Sequence, residues 1–343
     1  MKLSKNITTG REKEARMIKQ SNCAVAVARL MQNKIQNWEE FLEPSTIDYA
    51  GLPRKQLKSG NYDIKKRLKS ELNSFFKKNF QGFTEKKLAK LYEDIKANRG
   101  LEMPLKDFGN KYGKVNPAVL KGNPTHLTVY ISLWGLQFLF PEDLLSKDII
   151  TALSILQASE KKLLPFENKL HKELSPKKDV IAEEVRKKEF AQRTLILACF
   201  NLIESFLNGI AWDYCQKKDI SRLSQKKQKL LTDTFSVSIR DKLLKYPKLI
   251  SNDEEGEADH SIELFLEIIK PFRDSLVHPS PFSAPEKFGG YDKLRKIYDL
   301  NQDVAKQAIL LLIDIISKIC KQIYAGNEPI WFKEFKIKAK AKI

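Results

Sequence analysis

An arginine and a histidine held a few residues apart can act on a phosphodiester, and one such pair stands at Arg273 and His278. The run reads Pro271-Phe272-Arg273-Asp274-Ser275-Leu276-Val277-His278-Pro279. A guanidinium is permanently cationic and forks onto phosphate oxygens. An imidazole titrates near neutrality and can take or give a proton at a reacting oxygen. In a chain this basic, the pair points to phosphodiester chemistry that requires no metal and no cofactor. The bland alternative is an arginine in an ion pair and a histidine closing a helix.

What must position these groups is helical. Ser261-Ile262-Glu263-Leu264-Phe265-Leu266-Glu267-Ile268-Ile269 leads into the motif as an apolar helical run. The residue before a proline is pushed out of the α region, so His278 is expected where that helix ends. Arg273 then lies about 7.5 Å of helical rise behind it. Upstream, Ile181 to Tyr214 reads as one long helix, apolar on nearly every face from Thr194 to Trp212, and therefore buried all round. Glu204 and Ser205 sit inside it. A polar group in so apolar a helix needs a partner. Glu204 is thus either a core carboxylate bonded to another helix or a group facing a site. The last long helix is expected over about 303–324, densely apolar, after a shorter pair at 225–232 and 238–245.

The chain has 343 residues, with 61 Lys and Arg against 43 Asp and Glu, a formal charge of +18. Residues 1–125 carry 26 of those bases and 13 of those acids, so most of the excess is N-terminal. Such a charge suits a polyanionic partner and says nothing of fold. Phe75-Phe76-Lys77-Lys78-Asn79-Phe80-Gln81-Gly82-Phe83 interleaves aromatics with lysines. There Lys77 and Lys78, with Lys86 and Lys87 beyond the glycine, are candidates to follow a nucleic-acid backbone. The same spacing also suits an amphipathic helix end with its phenylalanines in a core.

Several functions are excluded by pattern. Cys23, Cys199, Cys215 and Cys320 form no close pair, which argues against a zinc cage or a disulfide framework. Lys111 to Lys121 lacks phosphate-loop spacing, and Asp253 to His260 lacks the alternating ligands of a calcium loop. The N-terminus has no apolar signal core, and Leu127 to Phe140 is too short and too interrupted for a membrane span. That run is expected as a buried core helix. A reducing cytoplasm is the expected location.

The expected architecture is all-α. A basic, mainly helical region covers 1–125, connecting helices and a linker cover 126–178, a helical bundle covers 179–326, and a basic tail covers 327–343. The alternating tail from Phe335 to Ile343 is expected to be mobile as a chain terminus, with a short edge strand or a basic arm for nucleic acid as the alternatives.

From about Asp179 to Tyr324 the chain resembles the HEPN superfamily, helical bundles with an R-x4–6-H motif near the junction of the last two major helices. Arg273-Asp274-Ser275-Leu276-Val277-His278 carries the resemblance, with the polar Asp274 directly after the arginine and Glu204-Ser205 on the earlier buried helix. The resemblance implies a metal-independent endoribonuclease that leaves a 2′,3′-cyclic phosphate and a 5′-hydroxyl, in toxin–antitoxin or antiphage systems. His278 would move the proton, Arg273 would stabilise phosphorane charge, Asp274 and Glu204 would orient them, and Ser205 and Ser275 would support. One motif per chain implies a homodimer with a composite cleft, RNA as substrate and an antitoxin or regulator as a further partner. Ser280 replaces the tyrosine usual two residues after the histidine in members paired with nucleotidyltransferase antitoxins. The runner-up reading is a nucleic-acid-binding or dimerising module with an idle bundle.

Overall fold

The computed structural model describes residue 94 and residues 100–112, 115, 122–132, 135–167, 169, 171–233, 236–252, 259–278 and 290–343. The lysines at 77, 78, 86 and 87, with the aromatic run beside them, lie outside the described residues. Helix makes up 79% of the described residues, which also hold a small three-stranded sheet. The chain divides into two compact units, residues 1–140 and 141–343.

In the first unit β1 (Leu101–Pro104), β2 (Thr128–Ser132) and β3 (Gly135–Leu139) form an antiparallel meander in that order. Leu101 pairs with Ile131 and Met103 with Val129. Helix α1 (Leu105–Tyr112) buries Phe108 and Tyr112, and Leu127, Val129 and Ile131 are buried with no exposure at all. The apolar run Leu127 to Phe140, expected as a core helix, is therefore a hairpin. Thr128, Val129, Tyr130 and Ile131 are all good strand formers, and a short apolar run carries no period that separates helix from strand. The all-α expectation gives way, among the described residues, to a mainly helical structure with this sheet.

The second unit is helical. Helix α2 (Pro141–Leu163) runs along α3 (Lys178–Lys217), with short helical turns between them at Leu164–Phe166, His171–Leu174 and Ser175–Lys177. The junction expected near 172–179 thus joins two helices of one unit. Leu195, Ile196, Cys199, Leu202, Ile203, Leu207 and Ala211 of α3 are fully buried, as its all-round apolar character predicts. One helical stretch among the described residues, Ser175–Lys217, is long and apolar enough to cross a membrane, and 67% of its most apolar window is buried inside the fold.

Helix α4 (Gln225–Thr232) and α5 (Ile239–Ser251) follow. Then come α6 (His260–Leu264), a π-turn (Phe265–Ile269) and α7 (Lys270–Val277). Helices α8 (Gly290–Asp299), α9 (Gln302–Tyr324) and α10 (Ile330–Lys340) complete the unit. Side-chain caps fix several starts: Ser238 accepts from the Asp241 N–H, and Asn301 from Asp303 and Val304. Helix α9 ends with Ala325 at φ 50 and Gly326 at φ 82, the left-handed residues that turn a chain out of a helix.

The C-terminal segment is not an arm or a strand. Helix α10 packs on α2 and buries Trp331, Phe332, Phe335 and Ala339. Those positions follow helical spacing. The alternation read from Phe335 onward begins too late to include Trp331 and Phe332, which anchor the helix. Trp331 lies 6.1 Å from Phe206 of α3, edge to face.

Candidate functional site

The motif helix is shaped by a proline. Pro271 has no N–H to offer the carbonyl one turn back. Just before it the helix widens, and the Lys270 N–H reaches the Phe265 carbonyl five residues away. π-turns of this kind recur at functional sites because they re-aim the helix that follows. From there α7 runs to Val277, and His278 closes it with its N–H on the Asp274 carbonyl at 3.1 Å. Its backbone, at φ −124 and ψ 61, has left the helix. The sequence expectation for this position holds.

Arg273 is held on two sides. Its guanidinium lies 4.5 Å from the centroid of the Phe200 ring of α3. That ring in turn stacks at 5.8 Å on Phe265 of the π-turn. Nη1 donates to Asp274 Oδ1 at 3.1 Å. Its Nε is buried and has no hydrogen-bond partner among the described residues. A buried N–H left unpaired costs on the order of 1–3 kcal/mol. The guanidinium is thus oriented but not saturated.

Asp274 takes a second bond, from Lys270 Nζ to Oδ2 at 2.5 Å, one turn back on the same helix face. Burial works against its ionisation, but the bonds from Lys270 and then Arg273 outweigh it and hold the carboxyl below its usual range. The carboxylate is charged at neutral pH and fixes Arg273 from the side.

His278 is exposed, and its imidazole bonds no described residue. Five residues of helix turn about 140° past a full turn, so Arg273 and a helical residue 278 would not share one stripe. Within one chain the pair brackets the helix end rather than lining one face of it.

The supporting residues divide. Ser275 is fully buried and donates to the Phe272 carbonyl at 2.7 Å, which commits its hydroxyl to its own helix. Ser205 is half-buried on α3 and bonds no described side chain. Glu204 accepts from Lys242 Nζ of α5 at 2.7 Å. Lys242 has no exposure and Glu204 is 33% exposed. Glu204 makes no hydrogen bond to Arg273 or His278, so of the two open readings the structure supports a carboxylate bonded to another helix. The side chain that α3 sends to the motif is Phe200, one turn earlier.

Phe200, Lys242 and Lys270 were not read from the sequence. Lys270 stood in view, four residues before Asp274. Phe200 is one of many apolar residues on α3 and carries no local signal. Helix α7 also packs on α8, where Lys296 lies 5.4 Å from the ring of buried Phe272.

Among the described residues no group of three or more His, Cys, Asp or Glu side chains could hold a metal ion. Cys199, Cys215 and Cys320 are free thiols, and burial pushes the Cys199 and Cys320 thiols up, the latter to about 12. Thiols so placed are poor nucleophiles. The chain matches no protein-family model, no curated protein and no solved structure.

Proposed function

We propose that the chain is a HEPN-type endoribonuclease, with Arg273 and His278 as its catalytic pair. The observation that carries this is the contrast between the two side chains: Arg273 is fixed by Phe200 and Asp274, its Nε without a partner among the described residues, while His278 is open to solvent at the helix end.

RNA brings its own nucleophile. A 2′-hydroxyl attacks the adjacent phosphorus, the P–O5′ bond breaks, and a 2′,3′-cyclic phosphate and a 5′-hydroxyl remain. One proton leaves the 2′-oxygen and one reaches the 5′-oxygen, so the step needs only proton carriers and a cation for the crowded phosphorane oxygens. His278 is suited to the first task and Arg273 to the second, with Asp274 as its positioning residue. Two proton transfers and one motif histidine per chain favour a homodimer in which two helix ends meet over one strand. That the pair brackets its helix end in one chain supports the same reading. A role in a toxin or antiphage system, restrained by a partner, follows from the resemblance.

The test is incubation of the purified protein with single-stranded RNA and with DNA of the same sequence, in EDTA. Cleavage of RNA alone, with cyclic phosphate ends, is expected. Intact RNA would leave the second reading, an idle bundle that binds nucleic acid. That reading has its own support, since Asp274 already neutralises part of the Arg273 charge.

A further inference from the structure

Away from the motif, α4 and α5 splay around a cavity of about 620 Å³. Its walls are apolar, from Tyr214 of α3, Leu230 of α4, Val237, and Leu249 of α5. The Tyr246 hydroxyl donates to the Leu230 carbonyl at 2.9 Å and ties the two helices together. Lysines line both sides: Lys226, Lys227 and Lys229 come from α4, and Lys245 and Lys248 from α5. No Asp or Glu among the described residues lines the cavity. Asp241 engages Lys245, whereas Lys226 and Lys229 have no acidic partner among the described residues.

A cavity with an apolar floor and the ammonium groups of Lys226 and Lys229 on its α4 side selects an apolar side chain with negative charge beside it. Small-molecule sites of this size, about 300–1,000 Å³, orient their ligand with a few fixed polar groups. This one has few to offer. Ser224 caps α4, and the Ser236 hydroxyl donates to Asp233. Asn252 adds an amide and Tyr214 a phenol to the lining, and its charged groups are all lysine, a point charge on a flexible stem, which holds carboxylates without demanding one geometry. Helical segments dock in such grooves through apolar anchors, and complementary charge sets register and on-rate.

We infer that the groove between α4 and α5 is a docking site for an acidic protein segment that inserts an apolar anchor residue. The inference stands apart from the ribonuclease reading, because it concerns other residues and is read by binding rather than cleavage. The probe is a short fluorescein-labelled peptide of glutamates flanking a Leu-Phe pair, followed by fluorescence anisotropy on the full chain. A second peptide has serines for the apolar pair, and an unlabelled oligouridylate of matched charge serves as competitor. Binding to the wild-type chain is expected, weakened about tenfold or more by Lys226→Glu with Lys229→Glu, and by the serine peptide. Both lysines are exposed, so the double variant is expected to fold, which its circular dichroism and melting curve check. Absence of binding, equal binding of the serine peptide, or no loss in the double variant would overturn the inference. So would displacement of the peptide by oligouridylate, which would make the groove a nucleic-acid surface.

Discussion

Two carboxylates of the helical unit are each held by two cations, and they are held differently. Glu184, near the start of α3, accepts from Lys162 at 2.9 Å, from Lys187 at 3.1 Å and from Ser159 at 3.1 Å. Its two cations come from α2 and from its own helix, so the cluster pins α2 to α3 and leaves nothing to offer a ligand. Asp274 also takes two cations, Lys270 and Arg273, but both lie on its own helix. It fastens no second element. What it does is steer a guanidinium whose Nε has no partner among the described residues, five residues before an exposed histidine. A saturated cluster between helices holds a fold together, whereas an unsaturated one at a helix end keeps capacity for a reacting group.

The sharpest way to break this contrast is at the motif. His278→Ala is expected to lower RNA cleavage by about 10²–10⁴-fold, the range for a general acid or base. Its melting temperature should not move, because the exposed imidazole holds nothing. Arg273→Ala should lose activity comparably with a modest loss of stability, since Phe200 loses its stacked cation. Full activity in folded His278→Ala would remove the histidine from the chemistry.

The Glu204–Lys242 pair should behave as a structural cluster with one sensitive side. Glu204→Ala strands a fully buried ammonium and is expected to cost about 3–5 kcal/mol in denaturant unfolding. Lys242→Met fills the same space without a charge and leaves a carboxylate that is 33% exposed, so it should cost far less. Equal losses from the two changes would show that the pair itself, and not the stranded lysine, sets the energy.

Phe200→Leu probes the shelf under Arg273. It keeps an apolar side chain in the core but removes the ring that both Phe265 and the guanidinium face. A loss of about 1–2 kcal/mol is expected. A fall in cleavage rate with unchanged RNA affinity would mark Phe200 as a positioning residue. A loss of stability alone would leave it a core ring.

How much of this was legible follows from how local each signal is. The motif helix, its end at His278 and the bounds of α4 and α9 follow from short-range rules about proline, caps and period. The burial of α3 follows from its composition. The β2–β3 hairpin did not, because an apolar run of that length satisfies helix and strand alike. Helix α10 was hidden by reading its pattern from Phe335 instead of Trp331. At the site, Arg273 and His278 are visible as residue types, but Phe200 and Lys242 are long-range partners. Phe200 lies 73 positions before Arg273, and Lys242 lies 38 after Glu204. Only packing brings such residues together.

The smallest expected effect lies at the saturated cluster and appears only in acid. The bonds from Lys162 and Lys187, then Ser159, outweigh the burial of Glu184 and hold its carboxyl down at about 2, against an ordinary value of 4.5. A depressed carboxylate stabilises the fold above its unfolded pKa, and that contribution is lost as pH falls toward the folded one. The window therefore runs from about pH 4.5 down to about 2. Both lysines are well exposed, at 60% and 44%, so solvent screens the cluster and the contribution is modest. Glu184→Gln keeps an acceptor for Ser159 but cannot titrate. The difference in unfolding free energy between wild type and variant should thus be flat above pH 5 and shrink through that window. A difference that stayed constant down to pH 2 would mean that the carboxyl titrates alike in the folded and unfolded chain, so that its charge adds nothing to stability. The link between α2 and α3 would then rest on their apolar contact.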